Sequence, residues 1–207
     1  MVEKVYVTYN DVHKLCQESA PKLLADFQPQ LMIAIGGGGY VPARILRSFL
    51  RQPGSPNIPI QAIGLSLYES LGNDEVEEPG TKVTRTQWLD LTALGTMQNL
   101  VGKRVLIVDE VDDTRTTLEY AVKELEKDVE AARQRMGGDA PKTEFGIFVL
   151  HNKDKQKKGT LPLEMMDHRY SAARTVGDVW ICYPWEAIDI DEHDRAAAAQ
   201  RNQDASA

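Results

Sequence analysis

The sequence predicts an α/β fold, a Rossmann-like and mainly parallel sheet flanked by helices. Three observations carry this. Short, nearly continuous apolar runs recur at 31–35, 60–68, 103–109 and 145–151, the pattern of strands buried on both faces. Helical periodicity separates several of them, so strands and helices alternate. Two loops of unusual composition, 36–39 and 110–117, follow two of the runs, where open parallel sheets hold their ligands.

Each element has its own justification. Asn10 can cap a helix that carries Val12, Leu15, Cys16, Ala20, Leu23, Leu24 and Phe27 on one face. Pro21 lies inside it and costs about 3 kcal/mol there, so a kink or a fresh start is expected. Residues 31–35 (LMIAI) form a buried strand, four glycines follow, and a helical stretch runs to Leu50. Three prolines and one glycine make 52–59 a loop. Residues 60–68 form the next strand, and 69–80, acidic and without apolar pattern, read as a long loop of the kind that serves as a lid. The segment 103–109 (KRVLIVD) is the clearest strand. A helix starts near Thr116, keeps Leu118, Ala121, Val122 and Leu125 together, and ends near Gly137-Gly138. Residues 145–151 and 179–183 are strands, and 153–158 is a basic loop. The tail from about 194 is rich in Ala, Gln and Asp and is expected to fray.

Composition narrows the function. The chain has 207 residues, suited to a single domain over 1–193, and its 42% apolar content can fill a core. A net charge of −7 argues against a nucleic-acid partner, which needs clustered Lys and Arg. A small anion is still within reach, because backbone N–H groups can hold it locally. Cys16 and Cys182 lack metal-binding spacing and read as plain buried thiols. The start Met1-Val2-Glu3-Lys4 has no apolar leader, and no apolar run approaches the roughly 18 residues of a membrane span. A soluble, intracellular protein with no membrane partner is expected.

The chemistry concentrates in 105–117 (VLIVDEVDDTRTT). Asp109 and Glu110 end a buried strand, Asp112 and Asp113 follow, and Thr114, Thr116 and Thr117 lead into a helix. Free N–H groups at a helix start favour a phosphate, and threonine hydroxyls add donors. Carboxylates beside a phosphate would repel it unless they accept hydrogen bonds from sugar hydroxyls of the same ligand. A phosphorylated sugar meets both conditions. An ordinary N-cap accounts for Asp113 or Thr114, but not for four acids and three threonines within nine positions.

This segment resembles the phosphoribosyl pyrophosphate signature of type I phosphoribosyltransferases: a hydrophobic strand, two acids, two intervening residues, Asp, Thr, two residues, Thr. The resemblance spans nearly the whole chain and is nearest to the fungal xanthine and hypoxanthine-guanine members. It includes Gly36-Gly37-Gly38-Gly39-Tyr40-Val41-Pro42-Ala43-Arg44, Ser66-Leu67-Tyr68-Glu69, Arg85-Thr86-Gln87-Trp88-Leu89-Asp90, Leu150-His151-Asn152-Lys153 and Tyr183-Pro184-Trp185-Glu186. Residues 58–72 and 152–155 lean mildly toward the xanthine-directed members. The four glycines do not make a dinucleotide site, because Tyr40-Val41 stand where the third glycine of G-x-G-x-x-G should fall.

The resemblance implies a type I phosphoribosyltransferase fold with a small hood from the terminal segments, mainly 1–15 and 152–193. It implies that Asp109 and Glu110 hold the ribose hydroxyls and that Asp113 faces purine N7 as the catalytic acceptor. Thr114, Arg115, Thr116 and Thr117 would wrap the 5′-phosphate, although many members carry Gly where this chain has Arg115. Gly37 and Gly38 would bind pyrophosphate, with any cis peptide at Gly37–Gly38, and Ser66 and Tyr68 would begin the lid. Lys153 would donate to purine O6, Trp180 would stack on the base, and main-chain groups near Ile181 would read its edge. Lys155 would be an ordinary solvated charge. Mg²⁺ would be bound mostly through substrate, with Glu186 binding a second metal or neighbouring the exocyclic group at C2. The implied activity joins a 6-oxopurine to phosphoribosyl pyrophosphate, giving a nucleoside monophosphate and pyrophosphate, in a cytoplasmic homodimer. The competing reading is a non-catalytic, nucleotide-sensing regulator of the same fold, for which the chain shows neither a basic face nor a spare DNA-binding domain. Xanthine, hypoxanthine and guanine are left unranked, since all share the 6-oxo group.

Overall fold

The computed structural model describes residues 3–68, 79–89 and 100–204. In chain order the elements are β1 (Lys4–Tyr6), α1 (Tyr9–Asp26), β2 (Leu31–Gly36), α2 (Tyr40–Leu50), β3 (Ile60–Tyr68), β4 (Pro79–Gln87), β5 (Arg104–Asp112), α3 (Thr116–Arg135), β6 (Glu144–Lys153), α4 (Leu163–His168), β7 (Tyr170–Val176), β8 (Trp180–Cys182), a 3₁₀ turn (Pro184–Glu186) and α5 (Ile190–Asp204).

Six strands form one sheet in the order β4-β3-β2-β5-β6-β7. All neighbours are parallel except β3 and β4. The apolar runs explain why the central strands are buried twice over. Leu31, Ile33 and Ile35 of β2, Val105 and Ile107 of β5, and Phe145, Ile147 and Val149 of β6 share a core with α3. The alternate residues Met32, Ala34, Leu106, Val108, Phe148 and Leu150 share the opposite core with α1 and α2. This is the period-two alternation of a strand with both faces covered.

Several elements differ from the sequence-based expectation. Thr8, not Asn10, caps α1: its hydroxyl accepts the Asp11 N–H at 3.2 Å, and the Asp11 carboxylate accepts the Thr8 N–H at 2.9 Å. The helix runs through Pro21 without a restart. Pro21 and Gln17, whose carbonyl loses its partner, both lie on the exposed face, where water can serve that carbonyl. Strand β5 extends three residues past Asp109, and β6 takes in Lys153, so both carry chemistry-bearing residues as strand rather than loop. Strands β4 and β7 and helix α4 had no sequence signal strong enough to place them.

The tail also departs from expectation. Residues 190–204 are helix α5, not a frayed end. It is held by polar contacts that periodicity cannot see. Gln200 accepts the Tyr6 N–H at 3.0 Å and donates to the Lys4 carbonyl at 2.7 Å, while His193 donates Nε2–H to the Val7 carbonyl at 2.9 Å. Strands β1 and β8 pair in parallel as a separate two-stranded sheet, with Lys4 opposite Trp180 and Tyr6 opposite Cys182. The terminal segments thus meet beside the main sheet.

Candidate active site

The strand order reverses direction between β2 and β5. From β2 the chain crosses to β3 on one side, and from β5 it crosses to β6 on the other. Loops that leave adjacent strands in opposite directions open a crevice beyond their carboxyl ends, the usual ligand site of such sheets. The glycine loop leaves β2 there, and Asp113 to Arg115 leave β5 there, after Asp109 and Glu110 near its end.

The two loops touch. A Cβ on Gly38 would fall 2.0 Å from Cδ of Glu110, so only glycine lets the backbone pass over that carboxylate. Around Gly37 a Cβ would meet nothing within 4 Å, which leaves its backbone facing open space. The cis peptide falls at Gly36–Gly37, one bond earlier than expected. Gly36 still pairs with Gly64 in the ladder, so the chain leaves the sheet directly after it.

Two hydrogen bonds fix Glu110. Trp185 donates Nε1–H to its carboxylate at 2.8 Å, and the Tyr183 hydroxyl donates to its carbonyl at 3.1 Å. The Tyr183 and Trp185 rings stack with centroids 4.7 Å apart. Tyr183 in turn meets His151 Nδ1 at 2.8 Å. Since the hydroxyl proton is committed to Glu110, His151 carries its proton on Nδ1 and donates. Burial, with Arg174 nearby, lowers this imidazole to about 4, so it is neutral.

The acids crowd one another. The Asp109 carboxyl is pushed well above the usual carboxylate range by burial first, then by Glu110 and Asp112. Glu110 is raised to about 7 by burial and by Glu186, with the Trp185 hydrogen bond opposing. Below pH about 4.5 both folded and unfolded chains hold the Glu110 proton; between 4.5 and about 7 only the folded chain does. Raising pH through that window therefore favours unfolding. Glu110→Gln is expected to remove part of this loss, raising the Tm of the free protein at pH 8 by about 2–4 °C for each kcal/mol relieved. Thermal melts of both forms at pH 5 and pH 8 check it: an unchanged difference between the two pH values means that Glu110 does not carry the raised proton affinity.

Helix α3 begins without a side-chain cap, because its N-cap residue is Arg115 in the left-handed region at φ 68°. First-turn N–H groups are thus open to an anion, with the Thr114 and Thr116 hydroxyls 3.1 Å apart beside them. The Arg115 side chain does not turn to that site. Its Nε and Nη2 both donate to Asp112 Oδ2, at 3.0 and 2.8 Å, and its guanidinium lies 5.4 Å from the Tyr170 ring centre. Tyr170 donates its hydroxyl to the same oxygen at 2.8 Å. Asp112, 1% exposed, is therefore an anchor that holds Arg115 in a backbone conformation glycine usually takes. Of Arg115, only the main chain is left for the phosphate loop.

Asp113 faces the end of β6. Lys153 Nζ donates to its Oδ2 at 2.9 Å, and Lys155 Nζ stands 2.9 Å from its Oδ1. Burial alone would raise the Asp113 carboxyl, but these two lysines outweigh it and hold it below the usual range. Lys155 also pairs with Asp178 at 2.8 Å, which corrects its reading as a solvated charge. Lys153 is buried at 8% exposure, whereas Trp180, on β8, is 59% exposed. Trp180 is therefore no core tryptophan and is free to meet a flat ligand. Ile181, beside it, is buried, and Glu186 ends the 3₁₀ turn near Glu110.

Of the sequence-predicted residues, the structure lays Gly38 against Glu110, sets Glu186 near Glu110, joins Lys153 to Asp113 and puts Thr114 and Thr116 side by side at the start of α3, while Trp180 and Ile181 stand on β8. Ser66 and Tyr68 end β3, but their side chains and residues 69–78 lie outside the described residues, and 79–80 already belong to β4. Asp112, Tyr170, His151, Tyr183 and Trp185 were missed as supports. Only the Asp112–Arg115 pair had a readable signal, its spacing of three positions.

An uncapped helix start beside two threonine hydroxyls, an acid pair and a lysine–carboxylate pair at the switch point of a parallel sheet match what the sequence led us to expect of a type I phosphoribosyltransferase. Comparison with known proteins bears this out, although no family model matches. Hypoxanthine-guanine phosphoribosyltransferase of Schizosaccharomyces pombe is 57% identical over 94% of this chain and 95% of its own length. Xanthine phosphoribosyltransferase 1 of Saccharomyces cerevisiae is 57% identical over 96% of this chain and 97% of its own. Among solved structures, a Neisseria gonorrhoeae protein with bound ppGpp is 40% identical at TM-score 0.75, covering 97% of this chain and 98% of its own. A purine phosphoribosyltransferase from Pyrococcus horikoshii is 27% identical at TM-score 0.61, covering 90% and 96%. The chain belongs to the xanthine and hypoxanthine-guanine phosphoribosyltransferases, enzymes of purine salvage.

Proposed function

We propose that the protein transfers the phosphoribosyl group of phosphoribosyl pyrophosphate to xanthine, hypoxanthine or guanine, releasing pyrophosphate and the nucleoside 5′-monophosphate. One observation carries this reading: the Asp113–Lys153 pair stands beside the uncapped start of α3, with Asp109 and Glu110 leading to the glycine loop. A purine edge, a sugar and two phosphate groups fit that sequence of sites.

In this reading the first-turn N–H groups of α3 and the hydroxyls of Thr114, Thr116 and Thr117 hold the 5′-phosphate. Asp109 and Glu110 accept the ribose hydroxyls, and Gly37 and Gly38 offer backbone to pyrophosphate. Lys153 donates to O6, Asp113 accepts N7–H, Trp180 covers the ring, and the main chain at Ile181 reads the base edge. Pyrophosphate leaves as positive charge develops on the sugar, so catalysis is positioning and electrostatics. A carboxylate held below its usual range is a weak base. Asp113 therefore acts as an ionised acceptor that favours the N7–H form of the base.

Glu186 lies close enough to raise the Glu110 carboxyl, and this closeness of two acids suits a magnesium ion arriving on the substrate. Pyrophosphate and ribose hydroxyls would supply most of its ligands, with Glu186 beside them. When bound, the ion would neutralise charge on the leaving group. The reading extends to a cytoplasmic homodimer, for which the exposed Ile188 and Ile190 offer apolar contact area.

Pyrophosphate release with each base in turn tests the activity. A purified protein that binds nucleoside monophosphate but releases none with any of the three would be a regulator instead. Replacing Asp109 by Asn and Glu110 by Gln is expected to raise KM for phosphoribosyl pyrophosphate more than KM for the base, since carboxylates accept stronger hydrogen bonds than amides. An equal rise in both would release these residues from the ribose role.

A further inference from the structure

The lysines of 153–158 resemble one another in sequence but not in surroundings. Lys158 is exposed, Lys153 and Lys155 meet Asp113, and Lys157 turns inward with a side chain 14% exposed. Its ammonium donates to the main-chain carbonyls of Asp112 at 2.6 Å, Asp113 at 3.0 Å and Lys153 at 2.7 Å. An ammonium has three N–H donors, and these three carbonyls take them, with the Asp112 Oδ1 counter-charge 3.6 Å away. It has none left for a ligand.

The three carbonyls lie where the sheet stops. The β5–β6 ladder ends at Asp112 opposite Asn152. Beyond that rung no strand pairing holds Asp113 and Lys153 to each other, yet their side chains must present a carboxylate and an ammonium to one ligand edge. Lys157 supplies the missing rung. Next to it the N–H groups of Lys158 and Gly159 both donate to the Thr114 carbonyl at 3.0 Å, so the phosphate loop has its own, separate tie. A Cβ on Gly159 would lie 2.5 Å from the Arg115 carbonyl oxygen, which shows how closely the two segments are laid together.

We propose that Lys157 is a positioning residue whose ammonium sets the spacing between Asp113 and Lys153 at the purine edge. This rests on the base-pocket reading given above. Lys157 touches no substrate in that reading; it acts through the backbone of the two residues that do.

The test is steady-state kinetics on wild-type enzyme, Lys157→Met and Lys157→Arg, with base and phosphoribosyl pyrophosphate varied separately. Wild-type turnover on at least one 6-oxopurine is measured first, and its absence overturns both the activity and this inference. With an active wild type, Lys157→Met is expected to lower kcat by about 10²-fold, the scale of a misplacement of about 1 Å. KM for phosphoribosyl pyrophosphate should stay within about threefold, because the tie to Thr114 is main-chain and survives. Lys157→Arg should recover part of kcat, since a guanidinium keeps charge and donors but fans them in a plane. If Lys157→Met does not fold, Lys157→Arg alone decides, with about a tenfold fall in kcat expected at unchanged KM for phosphoribosyl pyrophosphate. Wild-type kcat in the variant that folds, whatever its Tm, would reduce Lys157 to a folding contact and overturn the proposal while leaving the activity intact.

Discussion

Asp113→Asn is expected to keep the fold and lower turnover by about 10²–10⁴-fold, the range typical of a positioned acid or base. The substitution keeps shape and removes charge. In the native site two ammonium groups share that charge, Lys153 and Lys155, each 2.9 Å from a different carboxylate oxygen. Each carboxylate oxygen keeps a second lone pair for an arriving N7–H, so Lys153 can turn toward O6 while Lys155 keeps Asp178. With Asn the lysines repel each other, and the amide can offer N7–H only a weaker acceptor. The fold should survive because the Asp113 side chain is 41% exposed and belongs to neither core. Circular dichroism together with kcat on all three bases checks both halves. Turnover near wild type would take Asp113 out of the mechanism.

The sheet was legible for a plain physical reason. Residues 31–35 and 105–108 are apolar at every position, and runs this short, flanked by turn residues, suit a strand covered on both faces. The candidate site was legible because four acids and three threonines within nine positions at a helix start exceed what a cap needs. What escaped was whatever depends on contacts distant in sequence. Helix α5 carries four consecutive alanines, of which Ala197 is buried, and it is fixed mostly by Gln200 and His193 reaching β1 and the residue after it. No apolar stripe announces it. Strand β7 (YSAARTV) is only partly buried at the sheet edge, so alternation is blunted. Tyr170 reaches Asp112 across 58 positions, a pairing that no local pattern encodes. In the basic run, spacing separates none of the lysines. Surroundings separate them all: one buried on Asp113, one bridging two acids, one beneath the backbone, and one in solvent.

Lys153→Ala is expected to cripple activity on every 6-oxopurine, with kcat/KM for the base falling by about 10–10³-fold. The lower bound follows from leaving O6 unpaired in a partly dry site, about 1–3 kcal/mol and more where charge is involved. The upper bound adds the lost cation beside a purine ring that gains negative character, and an Asp113 carboxylate no longer oriented from the β6 side. Trp180→Leu should cost less. Stacking is worth roughly 1–3 kcal/mol per base, and leucine keeps part of the apolar contact. Lys155→Ala, which the sequence alone would have offered as a silent control, is expected to do damage of its own through Asp113 and Asp178. The proper control is Lys158→Ala: its side chain is exposed, and its tie to Thr114 is made by the backbone N–H, which alanine keeps. The order of kcat/KM for the base should therefore run from wild type and Lys158→Ala, nearly equal, through Trp180→Leu and Lys155→Ala, down to Lys153→Ala. If Lys158→Ala falls as far as Lys153→Ala, no single lysine reads O6, and what remains is the general positive potential of the run.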